Sequence, residues 1–548
     1  MTKHPSISIF GTWGALLAVS LGIFTITLDG SMMPVAIGSI VDDLNTQVAF
    51  VQAAMALHSL VMASTYLAAG KLALKYGEKR IFVLGALVFA AGVILAALSP
   101  NIWLLILGWS LIKPVGGAMM IPAASSLIVL NYAGQQRTTA FGIFSAFVAA
   151  AAVIGPVWMG AMANLISWRW AFASEPLLIL LLLFFASMVT ETKREQRVPF
   201  DSLGALLTFI GFGLLVLGAT LAGEFGWWSA RRPFYIGAEV FAPFGLSAAL
   251  VFMLGGGAVL LAYAGWSELR ARRKLAPLFR VSIFRNRNFS VAAALGLCFQ
   301  LAVGGLLFVL PVFLQSALFL DALDTGLVLL PYTLGIFVFA LGASRLPARI
   351  SPVLVVRIGL ILMLVGGWWV YQTASLQLVL SSLVPALFCF GAGAGMVLAR
   401  LTEITLAEVQ PEELGEATGG DSTGKELGVA FGVSVLGSIF LALMFGRVGD
   451  GYFEFHGQPV VTAAMHAEAA IELEDWAARI TDDQWKAFLD RLPDVTGNAY
   501  EAIVADAYLS AYQDTLVIIM GVILVMMVVS LGFRRGKRHP AGAVSSDD

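Results

Sequence analysis

Residues 12–38, TWGALLAVSLGIFTITLDGSMMPVAIG, are twenty-seven positions with a single charged side chain, Asp29. A helix rises about 1.5 Å per residue, so roughly 20 apolar residues cross the hydrocarbon of a bilayer, where the backbone can be satisfied only from within the segment. The stretch reads as a membrane-spanning helix with an acid inside it. It is longer than a signal h-region and lacks a small-residue cleavage site. Only the short, weakly basic MTKHPSISIF precedes it, so it is expected to be retained as the first span.

The same reading repeats along the chain. Of 548 residues, 59% are hydrophobic and 12% are charged, and the mean hydropathy is +0.86. That is half the charge of an ordinary soluble domain, too little to cover a surface facing water. Apolar runs set against charged breaks predict fourteen spans, at 12–38, 48–70, 81–99, 102–130, 138–164, 170–190, 202–222, 237–265, 289–314, 327–343, 352–372, 378–399, 421–445 and 514–533. The predicted class is an all-α polytopic membrane protein. A net charge of −2 provides no concentrated basic face for nucleic acid. Cys298 and Cys389 each sit in an apolar run and read as packing residues, with no disulfide framework or thiolate metal site.

An even number of spans puts both termini on one side, and the basic residues choose which. Lys71, Lys75, Lys79 and Arg80 follow span 2, Lys193, Arg194 and Arg197 follow span 6, seven Lys or Arg between 270 and 287 follow span 8, and Arg534, Arg535, Lys537 and Arg538 follow span 14. That face is expected to be cytoplasmic, with both termini on it, in a plasma membrane (the inner membrane of a bacterium). Residues 447 to 514 then lie outside, with thirteen acidic residues against four basic. Residues 463–480 and 482–492 show apolar positions at helical spacing and predict amphipathic helices. His456 and His466 read as solvated loop histidines rather than metal ligands. The segment is expected to be an acidic solubilising loop, with a periplasmic or accessory partner at 447–513 as the alternative.

Basic breaks after spans 2, 6, 8 and 10, the last being SRLPARI at 344–350, predict two six-span halves. The expected divisions are 1–190 for the first bundle, 191–266 for two linker spans, 267–288 for a basic loop, 289–534 for the second bundle and 535–548 for a tail.

An ionisable group near the bilayer centre costs about 2.5–3.5 kcal/mol, so each one is a functional candidate. Asp29 is expected about 13 Å from the outer end of span 1, and Lys113, in LLILGWSLIKPVGGAMMIP at 104–122, about 18 Å into span 4. If spans 1 and 4 are neighbours, the two offset each other's desolvation, and protonating Asp29 breaks the pair. The alternative is a static ion pair that fixes helix register. Pro114 removes a backbone donor and leaves a carbonyl free. His58 in span 2 is a candidate proton relay, or a packed hydrogen-bonding residue. Glu175 and Glu239 are expected near the outer ends of spans 6 and 8, solvated at the interface. Asp421, Lys425 and Glu426 open span 13, where Asp421 and Lys425 are placed for an i, i+4 pair that is either a gate or a helix-end contact. GAGAGM at 391–396 has no preceding strand and no following Lys-Ser/Thr, so it reads as a helix-packing face rather than a nucleotide loop. No HExxH or Walker sequence occurs, which removes the usual anchors of an embedded metalloprotease or an ATP-driven pump.

These residues resemble the major facilitator superfamily, in its fourteen-span drug:proton antiporter branch, over nearly the whole chain. GKLALKYGEKR at 70–80 resembles motif A, with Gly70, Lys75, Gly77, Lys79 and Arg80 in place and Leu74 where an acid is usual. AAAAVIGPVWMG at 149–160 is similar to motif C, with Gly155, Pro156 and Gly160 matching and Met159 where Gly is usual. LDGSMMPVAI, WRWAF, PLFRVSIFRNRNF and the run from Gly415 to Gly437 resemble further signatures of the branch. Motif B's arginine is missing; Ser110, Lys113 and Pro114 occupy that region.

The resemblance implies two six-helix bundles plus two linker helices. It implies export of lipophilic or cationic small molecules in exchange for protons by alternating access, with no enzymatic activity and no cofactor beyond the proton gradient. Asp29 would carry the proton, Lys113 would be its partner, the motif A residues would anchor a gate, and Gly155 and Pro156 would shape one. Two other readings stand beside it: a dedicated exporter of one lipid, natural product or metabolite, and a non-transporting receptor or assembly protein.

Overall fold

Backbone in lipid has to be satisfied locally, and the α-helix is the local solution. In a computed structural model of the protein, fourteen helices among the described residues are long and apolar enough to cross a membrane. The described residues are 9–132, 134–188, 200–232, 234–236, 239–240, 245–273, 275–344, 346, 350–406, 414–455 and 494–533. Spans 1 to 7 run Gly14–Asp43, Val48–Ala73, Glu78–Ala97, Ile102–Asn131, Thr139–Leu165, Trp168–Ser187 and Ser202–Gly223. Spans 8 to 14 run Ala248–Arg272, Arg287–Ser316, Ala322–Ala343, Pro352–Thr373, Leu380–Thr405, Ala417–Phe455 and Ala499–Ser530.

The largest differences from the sequence reading are at spans 8, 13 and 14. Span 8 begins at Ala248 rather than 237, because Gly245 takes a positive φ of 71° and Ser247 caps the helix by accepting from Leu250 N at 3.1 Å. Glu239 therefore lies in strand β2 (Glu239–Val240), paired with β1 (Tyr235–Ile236), ahead of the span and not at its end. Spans 13 and 14 extend beyond their apolar windows, since a helix makes its own hydrogen bonds whether its side chains are apolar or not. Arg447, in the extension of span 13, forms an ion pair with Asp514 of span 14. The helices expected at 463–480 and 482–492, with His456 and His466, lie outside the described residues.

Spans 1–6 pack mainly on one another, as do spans 9–14. Spans 7 and 8 pair together, and span 7 rests against spans 2 and 13. Asp201 fixes their basic-loop end: its carboxylate accepts from Gly204 N at 3.0 Å, Trp266 Nε1 at 3.0 Å and Leu278 N at 3.1 Å. The PLFRVS segment is thereby docked beneath spans 7 and 8, and Tyr263 donates to Phe279 O at 2.9 Å.

The halves meet along two seams. On one, Gln315 of span 9 donates to Val35 O at 3.0 Å and accepts from Gly38 N at 2.7 Å, while span 5 lies on span 10. On the other, Gln52 of span 2 donates to Val433 O at 2.8 Å and Ser434 O at 3.1 Å, where span 13 loosens into a π-helical turn, Gly432–Leu436. Thr220 of span 7 bonds the Ser434 hydroxyl at 2.8 Å. Both contacts sit toward the face carrying the 44–47 and 317–321 connections, and they seal the halves there.

Close helix approach sets where the first half can hold charge. A Cβ on Gly92 of span 3 would lie 2.7 Å from Gly108 O and equally close to Lys113 Cα in span 4. The GAGAGM run does the same in the second half, Gly395 against span 10 and Gly393 against span 11. Gly92→Val is expected to cost about 1–3 kcal/mol by overpacking, read as a lowered thermal midpoint of the purified protein. A surface-facing control, Gly257→Val, which meets open space, is expected to leave the midpoint unchanged.

Candidate functional site

Span 4 is not a regular helix. Ile106–Ile112 forms a π-turn, and Lys113 N closes it on Gly108 O. The next residue, Pro114, has no N–H, so the carbonyl of Trp109 loses the partner this pattern would supply. His58 of span 2 fills the vacancy with Nδ1 at 3.0 Å from Trp109 O. A carbonyl only accepts, so Nδ1 carries the hydrogen. The imidazole also stacks on the Trp109 indole, 4.4 Å between centroids and 27° between planes.

Asp29 and Lys113 meet. Lys113 Nζ donates to Asp29 Oδ2 in a salt bridge, and Trp109 Nε1 donates to Asp29 Oδ1 at 3.0 Å. Lys113 is 0% exposed and Asp29 1%. The ammonium also lies 4.2 Å over the Trp109 ring and 5.6 Å from that of Phe89 in span 3. Burying either charge alone costs several kcal/mol; pairing, two donors on Asp29 and the aromatic faces around Lys113 offset that cost. Span 1 extends to Asp43, so Asp29 stands fourteen residues from its end, about 21 Å, deeper than the sequence reading placed it.

Glu175 requires a correction. It is 0% exposed rather than solvated at an interface, because span 6 turns it inward. Its carboxyl lies beside Asp29 and in the field of Lys113, one turn from Phe172, whose ring is 6.0 Å from the Lys113 ammonium, and neither of its oxygens receives a bond from an N–H or hydroxyl donor. Toward the loop face Asp43, at the end of span 1, pairs with Arg169 and accepts from Trp168 Nε1 at 3.0 Å, so the WRWAF segment ties the start of span 6 to span 1. Ser110, where motif B carries arginine, is fully buried, and its hydroxyl has no partner among the described residues.

The other candidates lie elsewhere. Lys425 Nζ donates to Asp421 Oδ2 at 2.6 Å, the local i, i+4 geometry. Glu426 faces Ser59 of the first half, the neighbour of His58, and Thr423 donates to Ala63 O at 3.0 Å one turn away. In motif A, Gly77 takes φ 101° between spans 2 and 3, a conformation that only glycine adopts freely. Gly70 faces open space, so no close helix approach requires it. Lys75 Nζ lies 5.0 Å from the Tyr76 ring, and Lys79 and Arg80 open span 3. In motif C, a Cβ on Gly155 would lie 2.8 Å from Leu28 O in span 1, and one on Gly160 would lie 2.6 Å from Leu323 Cα in span 10. Pro156 packs beside Gly326 of that same span. Span 5 is therefore wedged between span 1 and the opposite half.

The Major Facilitator Superfamily model matches residues 19–208. A methylenomycin A resistance protein of Bacillus subtilis is 30% identical over 61% of this chain and 68% of its own length. The chain belongs to the major facilitator superfamily. A probable actinorhodin transporter of Streptomyces coelicolor is 26% identical over 91% of this chain and 86% of its own, and the multidrug efflux pump LfrA of Mycolicibacterium smegmatis is 24% identical over 95% and 96%. A bacterial homologue of the human lysosomal transporter Spinster, solved inward-facing and unoccupied, shares the fold with a TM-score of 0.57 at 14% identity, covering 96% of this chain and 98% of its own. As a member of this superfamily the protein is an integral membrane transporter and not an enzyme.

Sequence reasoning missed Trp109 and Gln52 and set Glu175 aside. Trp109 carried a signal, standing four residues before Lys113. Breaking a buried pair from one side costs about 3–5 kcal/mol, more than removing both charges. Lys113→Met is therefore expected to destabilise the protein by about that much, and Lys113→Met with Asp29→Asn by less. Thermal unfolding of the purified single and double variants measures the difference.

Proposed function

We propose that this transporter exports lipophilic or cationic small molecules in exchange for protons, with spans 1–6 rocking against spans 9–14 around a central site. The observation that carries the reading is the buried Asp29–Lys113 pair held by Trp109. With Asp29 ionised the pair is closed and neutral. Protonating Asp29 removes the counter-charge of a fully buried lysine, and the cost of that unpaired charge favours a second arrangement of the half. Losing the proton restores the first. Each charge driven across the membrane supplies about 2.3 kcal/mol per 100 mV.

Substrate contact is supported by the seam between the halves. Ser31, Pro34, Pro156, Leu307 and Tyr332 border an apolar cavity of about 120 Å³, beginning two residues beyond Asp29. Drug-sized ligands occupy roughly 300–1,000 Å³, so the cavity has to widen as the halves separate. Glu426, facing Ser59 across the other seam, supplies a carboxyl for cationic substrates. Relatives named for multidrug efflux and for antibiotic resistance support export. Relatives named for a single natural product, actinorhodin or methylenomycin A, favour a second reading in which this chain is dedicated to one compound. Resistance to many unrelated compounds on overexpression selects the first, and resistance to one selects the second.

Reconstitution into liposomes with an imposed pH gradient tests the coupling, with ethidium as probe. The wild type is expected to move ethidium against its gradient, and Asp29→Asn to lower pH-driven movement by about 100-fold, the low end for a positioned proton-transfer group. Lys113→Ala is expected to do the same. Full pH-driven transport by Asp29→Asn would falsify the assignment.

A further inference from the structure

Four ionisable side chains converge in the membrane-buried first half: Asp29 of span 1, His58 of span 2, Lys113 of span 4 and Glu175 of span 6. Span 3 contributes Phe89 to this cluster, and residues 139–165 of span 5 contain no ionisable residue. The charges do not balance if every group takes its usual form: two carboxylates face one ammonium, and His58 is tied to the Trp109 carbonyl.

The hydrogen bonds say where the imbalance falls. Both oxygens of Asp29 are engaged, one by Lys113 and one by Trp109. Glu175, fully buried, has neither oxygen served by any N–H or hydroxyl donor, and its carboxyl lies beside the Asp29–Lys113 pair, one turn from Phe172, whose ring is 6.0 Å from the ammonium. A buried carboxylate without donors is among the costliest groups a membrane protein can hold. A carboxylic acid in the same place donates to the neighbouring carboxylate, and the cluster becomes neutral.

We propose that Glu175 and Asp29 hold one exchangeable proton between them, with Glu175 the acid and Asp29 the carboxylate, making Glu175 a second proton-coupling residue. This rests on the proton-antiport reading and deepens it. When the proton crosses, the Glu175 O–H bond breaks as the Asp29 O–H bond forms, and the negative charge passes to Glu175. Lys113, already in the field of both carboxyls, then exchanges its partner on span 1 for one on span 6. The charge of the cluster is unchanged, while the ion pair that ties the spans together has moved.

Infrared spectroscopy of the purified full-length protein reads the proton directly. The wild type at neutral pH is expected to show the C=O stretch of a protonated buried carboxyl. Glu175→Gln, close to isosteric, is expected to lose it, Glu175→Asp to keep it, and Asp29→Asn to shift its frequency. A band that persists unchanged in Glu175→Gln overturns the proposal. In liposomes holding a pH-sensitive dye, ethidium transport by Glu175→Gln is expected to show a displaced pH profile of proton flux; an unshifted profile overturns the coupling role. Ethidium transport by the wild type without any proton flux overturns antiport itself and with it the coupling role, and the infrared band alone then decides whether the carboxyl pair exists.

Discussion

A primary ammonium buried away from solvent has to find its countercharge within a few ångströms, and Lys113, fully buried, imposes that requirement on the whole first half. The answer is distributed over four helices. Span 1 brings Asp29, span 4 brings Trp109 as well as the lysine, span 2 brings His58, and span 6 brings Glu175. Only an irregular span 4 can present them together. A π-turn inserts one residue and rotates the remainder of the span by about 100° relative to a regular helix, which aims Lys113 at span 1. The turn exposes a carbonyl, Pro114 keeps it exposed, and His58 closes it. Gly92 lets span 3 lie against this segment without a side chain between.

Span 2 carries the consequence to the second half. His58 faces the charge cluster, and Ser59, one residue on, faces Glu426 of span 13. Gln52 holds the π-turn of span 13 at one end of the same interface, and Ala63 accepts from Thr423 further along. A shift in the Asp29–Lys113 pair that moves Trp109 therefore bears on His58 by stacking and hydrogen bond together, and on span 13 through the adjacent serine. The two additional spans enter at this seam: Thr220 of span 7 bonds the same Ser434 whose carbonyl Gln52 uses. They support the interface that has to open and close, rather than extending either bundle.

Hydropathy alone reveals the fourteen spans, because lipid permits so few alternatives for an apolar segment. Asp29 and Lys113 are legible for the same reason, as charges where charges are expensive. Glu175 is not. Seven residues into its helix it looks close to water, and only the inward rotation of span 6 buries it. The start of span 8 reads too early because 237–247 is apolar enough to belong to a helix, while the positive φ at Gly245 and the cap at Ser247 hold the helix back to Ala248. Gln52 and Gln315 escape a reading that looks for charge, since neutral amides enter an apolar helix at modest cost and declare themselves only once the partner carbonyls are in place.

The missing arginine then takes on a physical meaning. A guanidinium grips one carboxylate with a rigid planar fork and does not give up its proton. An ammonium is a compact charge with three donors on a flexible stem, able to sit between two carboxyls and pass from one to the other. A site with one carboxylate is well served by arginine; a site with two, sharing a proton, is better served by lysine. Lys113 thus makes sense beside Glu175, since the lysine gives up fixed geometry that a second carboxyl makes unnecessary. Ser110 agrees with this: small, buried and unpartnered among the described residues, it leaves the space on span 4 that a long cationic side chain at its own position would fill.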